Sequence, residues 1–292
     1  MKNLVFFLAL LCSTSLVAQF SFNENGTGIQ SATNTASGDR STAMGNFTIA
    51  SGFASTAMGR ETTANGEYST AMGNGTTASG SRSTAMGQST TAIGFASTTM
   101  GQVTTARGDW STAMGYRTEA GGSSSTSMGR ETKAIGNYST AMGYYTTASI
   151  SHSTAMGYYT TASGYVSTAM GAQTTASGSR STAMGEGTTA SGNYSTAMGL
   201  YTIASDRSSL VIGEYNLLGS TVTNSATQFS TDNTAFVIGN GADSDNRSDA
   251  LTVLFNGDAT LAGSMTATSF VGDGSQLTNL PASTVNYSDL DD

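Results

Sequence analysis

Residues 176–199 read "ASGSRSTAMGEGTTASGNYSTAMG" and state one phrase nearly twice. The phrase is fourteen residues long. Its Met-Gly step recurs without insertion at Met44, Met58, Met72, Met86, Met100, Met114, Met128, Met142, Met156, Met170, Met184 and Met198. Ile212-Gly213 carries the phase once more. A phase held this long requires each unit to be one identical turn of a repeat architecture. Inside the unit lies a second period of seven: Ser41-Thr42-Ala43-Met44-Gly45, two variable residues, then Thr48-Ile49-Ala50-Ser51-Gly52 and two more. Each half reads as a four-residue segment, a glycine and a two-residue corner. Short segments with β-branched residues, bounded by glycine, predict strands. Two strands and two corners make one flattened coil, and coils stack as parallel ladders about 4.8 Å apart. Twelve such coils extend about 58 Å.

Charge decides which side chains face inward. The position of Ile49 holds Glu119 and Lys133 in other copies, and the position of Ser51 holds Arg107. Charges do not face a closed interior, and strand residues alternate faces. The Thr48 and Ala50 positions, Thr and Ala in every copy, therefore point inward. By the seven-residue symmetry so do Ser41 and Ala43. The resulting interior of Ser, Thr and Ala is thin, and its hydroxyls need backbone carbonyls or each other as partners. Met44 and its equivalents then point outward, in register beside the Thr42 row. The alternative reverses the first strand, with Met inside and Ala outside. An outward ladder of Met exceeds the few hundred Å² of apolar patch that soluble monomers tolerate. Each buried Met contributes roughly 1.5–3 kcal/mol. The simplest partner for a repeating face is the same face on another copy, arranged cyclically.

The corners carry the variation. Every aromatic residue between 41 and 207 sits there, as do Arg60, Glu61, Arg82 and Arg130. The group Tyr144, Tyr145, Tyr158 and Tyr159 is the most distinctive. Consecutive coils would stack these rings, as a stiffening ladder or as a contact patch for a ligand.

Composition narrows the class. The chain has 292 residues, 36 glycines, one proline and 10% charged residues. Residues 41–207 hold eight Lys/Arg and seven Asp/Glu, whereas 208–292 hold Arg247 against ten acids. No cationic stripe of the kind nucleic acid needs is present. "MKNLVFFLALLCSTSLVAQF" reads as a secretory signal over 1–18: Lys2, an apolar run from Leu4 to Leu11, and Leu16-Val17-Ala18 before Gln19. The apolar run is short for a bilayer span, and no later segment reads as one. Cys12 follows Leu11, where a lipidation site expects a small residue. Cleavage after Ala18 leaves no cysteine, hence no disulfide framework.

Catalytic chemistry finds no foothold. His152, the only histidine, lies at a variable corner, and no Ser–His–acid set has catalytic spacing. The glycines keep coil period and form no phosphate loop with a lysine. Asp243, Asp245 and Asp249 lack the order of a calcium loop and read as a solvated acidic loop. The reading is of a non-enzyme with no cofactor and no metal.

"GNYSTAMGYYTTASG" resembles the head repeats of trimeric autotransporter adhesins (YadA-like head repeats), whose phrase is close to Ser-Val-Ala-Ile-Gly. Ser41-Thr42-Ala43-Met44-Gly45 fits that phrase, and Ser209-Leu210-Val211-Ile212-Gly213 and Ala235-Phe236-Val237-Ile238-Gly239 stand closer to it. The resemblance covers 41–213 and, less fully, 234–257. It implies an all-β, left-handed parallel β-roll, three chains to a head, and adhesion at the bacterial cell surface. This chain shows no long heptad stalk and no C-terminal membrane β-barrel. Gly272-Asp273-Gly274-Ser275-Gln276-Leu277-Thr278-Asn279-Leu280 resembles a linker phrase of tail-fibre-like proteins, and Asp291-Asp292 reads as a truncation or the tail of a secreted fibre.

The expected organisation is a signal peptide over 1–18, a leader over 19–40, the head over 41–213, a cap over 214–257 that covers the last coil's edge, and a linker or truncated tail over 258–292. The expected function is an adhesin-type head, a secreted or cell-surface homotrimer attaching to a surface, glycan or matrix protein. A passive spacer or rod carrying another domain is the alternative. Ice binding is weaker, because the outward rows pair Thr42 with Met44 rather than Thr with Thr.

Overall fold

The computed structural model describes residues 21–22, 29–30, 33–219 and 226–269. The signal segment with Cys12, and the Gly272–Leu280 phrase, lie outside the described residues. Among the described residues there is no helix. The chain winds as a parallel solenoid between two sheets, one of 18 strands and one of 13. In the longer sheet each repeat pairs with the next at an offset of one unit, as in Thr84↔Thr98, Met86↔Met100 and Gly87↔Gly101. In the shorter sheet Thr91↔Thr105 and Ala92↔Ala106 do the same.

The two halves of the coil are less alike than the seven-residue period predicts. The first strand runs five residues, Thr42–Asn46, and the second only two, Ile49–Ala50. The glycines cause this difference. Gly45 adopts φ +124°, which lets the first strand continue through it into the corner. In the second half, the N–H groups of Ser51 and Gly52 both donate to the Ala64 carbonyl, at 3.0 and 3.2 Å, and the strand ends. Both glycine rows bring successive backbones together. A Cβ on Gly115 would lie 2.0 Å from the Gly129 carbonyl oxygen, and one on Gly108 would lie 1.9 Å from that of Gly122.

The interior is two columns of small side chains. Ala43, Ala50 and their equivalents have no exposure, and Ser41 and Thr48 are buried beside them. Met44 is half-buried on the outer face, so the reversed first strand is not adopted. Each coil buries little more than a pair of methyl groups, roughly 0.8 kcal/mol apiece. Stability therefore accumulates from repeated neighbour contacts rather than from one large core.

Only part of the serine row finds partners for its inward hydroxyls, while Ser41, Ser55 and Ser69 among others find none among the described residues. Ser111, Ser139 and Ser167 donate to the carbonyls three residues back, at 2.5–2.8 Å. The hydroxyls of Thr48, Thr62 and Thr76 have no hydrogen-bond partner among the described residues, so the expected hydroxyl ladder does not form there. Identical atoms in register are one coil apart, about 4.8 Å, beyond the reach of an O–H···O bond. Where Ser127 replaces Ala, the hydroxyls do meet: Ser127 Oγ lies 2.7 Å from Thr132 Oγ1.

Both ends of the solenoid are closed. Asn34 and Asn216 stand in the threonine row, one coil before Thr48 and one after Thr202. The Asn34 side chain accepts from Thr48 N–H at 3.0 Å and donates to the Gly45 carbonyl at 3.1 Å. Asn216 accepts from Ile203 N–H at 2.8 Å and donates to the Ile203 carbonyl at 3.1 Å, supplying through its side chain both bonds of a missing strand. The longer sheet turns antiparallel at its ends: Ser21–Phe22 pairs with Ile29–Gln30 at the start, and Asp249–Leu254 with Thr234–Asn240 and Ala259–Leu261 at the finish. Between them the chain leaves the coil after Glu214 and re-enters at Thr234, restoring the register with Ile212↔Ile238 and Gly213↔Gly239. Asp206 occupies the last described place of a glycine row, next to the segment that re-enters at Thr234. Its buried carboxylate accepts from Thr234 N–H at 2.9 Å.

Two outcomes follow from uniform coils with closed ends. Deleting residues 87–100 should leave a shorter folded solenoid with a cooperative thermal transition, whereas deleting seven residues, 87–93, should abolish that transition by opposing unlike strands and unlike glycines. Asn216→Ala should lower stability by about 1–3 kcal/mol, through a buried N–H and carbonyl left unpaired, with early hydrogen exchange at the Ile203 amide as its signature.

Candidate functional site

Two features of the solenoid face outward with enough regularity to act on a partner: the methionine face and the corners. The twelve methionines of the repeat stand opposite one another in unbroken register, from Met44↔Met58 to Met184↔Met198. The ladder passes into Ile212 and then Ile238. All are half-buried and flanked by the half-buried Thr42 row.

At each corner the second residue is left-handed. Trp110, Tyr138, Tyr145 and even β-branched Val103 and Val166 adopt φ of 52–57°. This region is uncommon for side chains and an outlier for β-branched ones. A ladder bond holds it in place: the N–H of the left-handed residue donates to the corner carbonyl of the preceding coil, as from Tyr145 to Arg130 at 3.0 Å and from Tyr68 to Phe53 at 2.7 Å. The side chains so directed lie over their counterparts one coil away.

On the corner after Met-Gly, the four tyrosines singled out by sequence come together. Tyr144 stacks on Tyr158 with ring centroids 5.5 Å apart, Tyr145 stacks on Tyr159 at 4.9 Å, and each stacked pair meets the other edge to face. The Arg130 guanidinium continues the ladder between the rings of Tyr116 and Tyr144. These ring faces are turned toward one another along the coil axis. Glu131 lies beside Arg117 at 3.8 Å. Its hydrogen bond to Tyr145, together with desolvation and its negative charge, holds the Tyr145 hydroxyl above the usual tyrosine range.

The corner after Ser-Gly carries a ladder that residue-type reasoning missed. Tyr138 stacks on His152 at 4.9 Å, and His152 meets Tyr165 edge to face. Arg180 lies between the rings of Tyr165 and Tyr194, and Arg207 lies over Tyr194 at 4.9 Å. The signal was present in the sequence as a fourteen-residue recurrence of ring and cation, but neither residue type carries a motif.

Asp243 accepts from the N–H groups of Asp245 and Asn246 and from the Asn246 side chain, which holds its carboxyl below the usual range. Asp249 accepts from Leu217 N–H at 2.9 Å. These acids close the loop they stand in. No group of three or more His, Cys, Asp or Glu placed to hold a metal ion occurs among the described residues. None of their helices is long and apolar enough to cross a membrane.

A raised tyrosine pKa favours the neutral phenol in the fold. Its contribution is present below the ordinary value of about 10 and is lost as pH rises through the higher folded value. In an alkaline titration followed by ultraviolet absorbance, Tyr145 and Tyr159 should ionise later than free tyrosine. Glu131→Gln should bring Tyr145 back toward the ordinary value.

No curated protein matches the chain. The family model described as the YadA head domain repeat matches it again and again, in overlapping copies over residues 32–48, 50–94 and 106–202, more than half of the chain. Those matches fall on the stacked coils with their Met-Gly strands. The chain belongs to the YadA head domain repeat family, and its coils are the repeats of an adhesin-type head.

Proposed function

We propose that the chain forms the head of a trimeric surface adhesin, with the methionine face at the threefold axis and the corners turned outward for attachment. The observation that carries this reading is the in-register ladder from Met44 to Met198, half-buried within one chain. A continuous apolar face of that length calls for cover, and an identical face on a symmetry-related copy supplies it at every coil at once. Attachment falls to the corners, where residue type varies while the scaffold does not. The family assignment supports a trimer at the cell surface, and the secretory segment over 1–18 supports export. The partner is a surface, a glycan or a matrix protein.

Assembly is tested by charge. Replacing Met114, Met128 and Met142 together by Asp should place ionised groups at a desolvated axis, at several kcal/mol per ion. Analytical ultracentrifugation should then show dissociated or unfolded chains. The same replacement at Arg117, Glu131 and Tyr145 should leave the assembly at parent size. A well-folded monomer of the parent chain would sink the proposal.

A further inference from the structure

The corner after Ser-Gly carries an unbroken ladder over six consecutive coils: the rings of Tyr138, His152 and Tyr165, then Arg180, Tyr194 and Arg207. At the twelve corner positions spanned, from Asn137-Tyr138 to Arg207-Ser208, there is no Asp or Glu. The ion pairs of the described residues are Arg60–Glu61, Arg107–Glu119 and Arg117–Glu131, so neither Arg180 nor Arg207 is neutralised by a carboxylate. Tyr138, Tyr165 and Tyr194 are 44–59% exposed. We infer that this strip binds a linear acidic polysaccharide carrying one carboxylate per two sugars.

The geometry favours that polymer for two reasons. First, Arg180 is held as a planar donor. Its Cζ lies over the rings of Tyr165 and Tyr194, 5.7 and 5.3 Å from their centroids, and Nη1 donates to the Tyr194 hydroxyl at 2.9 Å. The residue is exposed, and a guanidinium has further N–H donors in the fork that suits a carboxylate. Arg207 is held likewise by Tyr194 and by its bond to the Thr227 carbonyl at 2.9 Å. Second, Arg180 and Arg207 stand two coils apart, about 10 Å. That is roughly the length of two pyranose rings, so carboxylates on alternate sugars fall opposite successive cations. The tyrosine hydroxyls between them face the uncharged sugars, as hydrogen-bond partners. Nucleic acid carries charges closer together along each strand, and its bases would seek ring faces that this ladder already covers.

This inference rests on the reading of the chain as an attachment head, yet every residue it uses lies in one chain. Hyaluronan oligosaccharides are the probe, immobilised on a biosensor and presented with the full secreted protein. Binding is expected, weakening as salt rises. Arg180→Gln with Arg207→Gln should lower affinity at least tenfold, and Arg60→Gln should leave it unchanged. Dextran should not bind, and polygalacturonate and single-stranded DNA should bind more weakly than hyaluronan. Ultracentrifugation of each variant separates failure of assembly from failure of binding. Absence of hyaluronan binding by the assembled parent would overturn the inference. So would an unchanged affinity in the double variant, or equal binding of DNA.

Discussion

Everything in this fold depends on how closely one backbone coil lies on the next at the two glycine rows. A Cβ at most positions of either row would stand about 2 Å from a carbonyl oxygen of the following coil. Close stacking at two points on opposite sides keeps the coil flat. A flat coil in turn leaves room inside for little beyond alanine, serine and threonine, with valine entering only at Val211 and Val237 near the end of the array. The small-residue composition is thus a consequence of backbone spacing. It is also why the methionines lie outside: the interior has no space for them.

With the strands and interior so constrained, chemistry is left to the corners. The left-handed corner residue is the device that makes this productive. It turns its side chain out of the corner, while the fourteen-residue register brings equivalent corner residues of successive coils together. Two types of ladder result. On one corner, tyrosines cover each other and form a closed stack. On the other, a run of three rings passes into a stretch where Arg180 and Arg207 stand beside Tyr165 and Tyr194. The scaffold treats both alike, and sequence at two positions per half-coil decides which surface appears.

Much of this was legible from spacing and charge. Glu119, Lys133 and Arg107 settled which residues of the second strand face inward, and symmetry carried the result to Ala43 and Met44. The limits of the seven-residue symmetry were not legible. Gly45 and Gly52 are the same letter, yet only Gly45 takes the positive φ that prolongs its strand. The left-handed corners were hidden because Trp110, Tyr145 and Val166 are not residues that favour such a conformation, and the coil above imposes it. The ends were hidden for a related reason: Asn34, Asn216 and Asp206 make sense only once it is known that the shorter sheet stops beside them, at Thr35–Ala36 and Ile203–Ala204.

Those three residues give the chain something that its repeats lack. Inside the solenoid every coil is interchangeable with its neighbour, and a chain that looped out one whole repeat would satisfy all the remaining ladders. Nothing within the array counts. At Asn34, at Asn216, and where Asp206 meets Thr234, a buried side chain takes up backbone groups at the end of the array. The end residues therefore serve as stops: each bonds to the coil beside it and terminates the array, while the number of coils between them is set by the length of the encoded repeat alone.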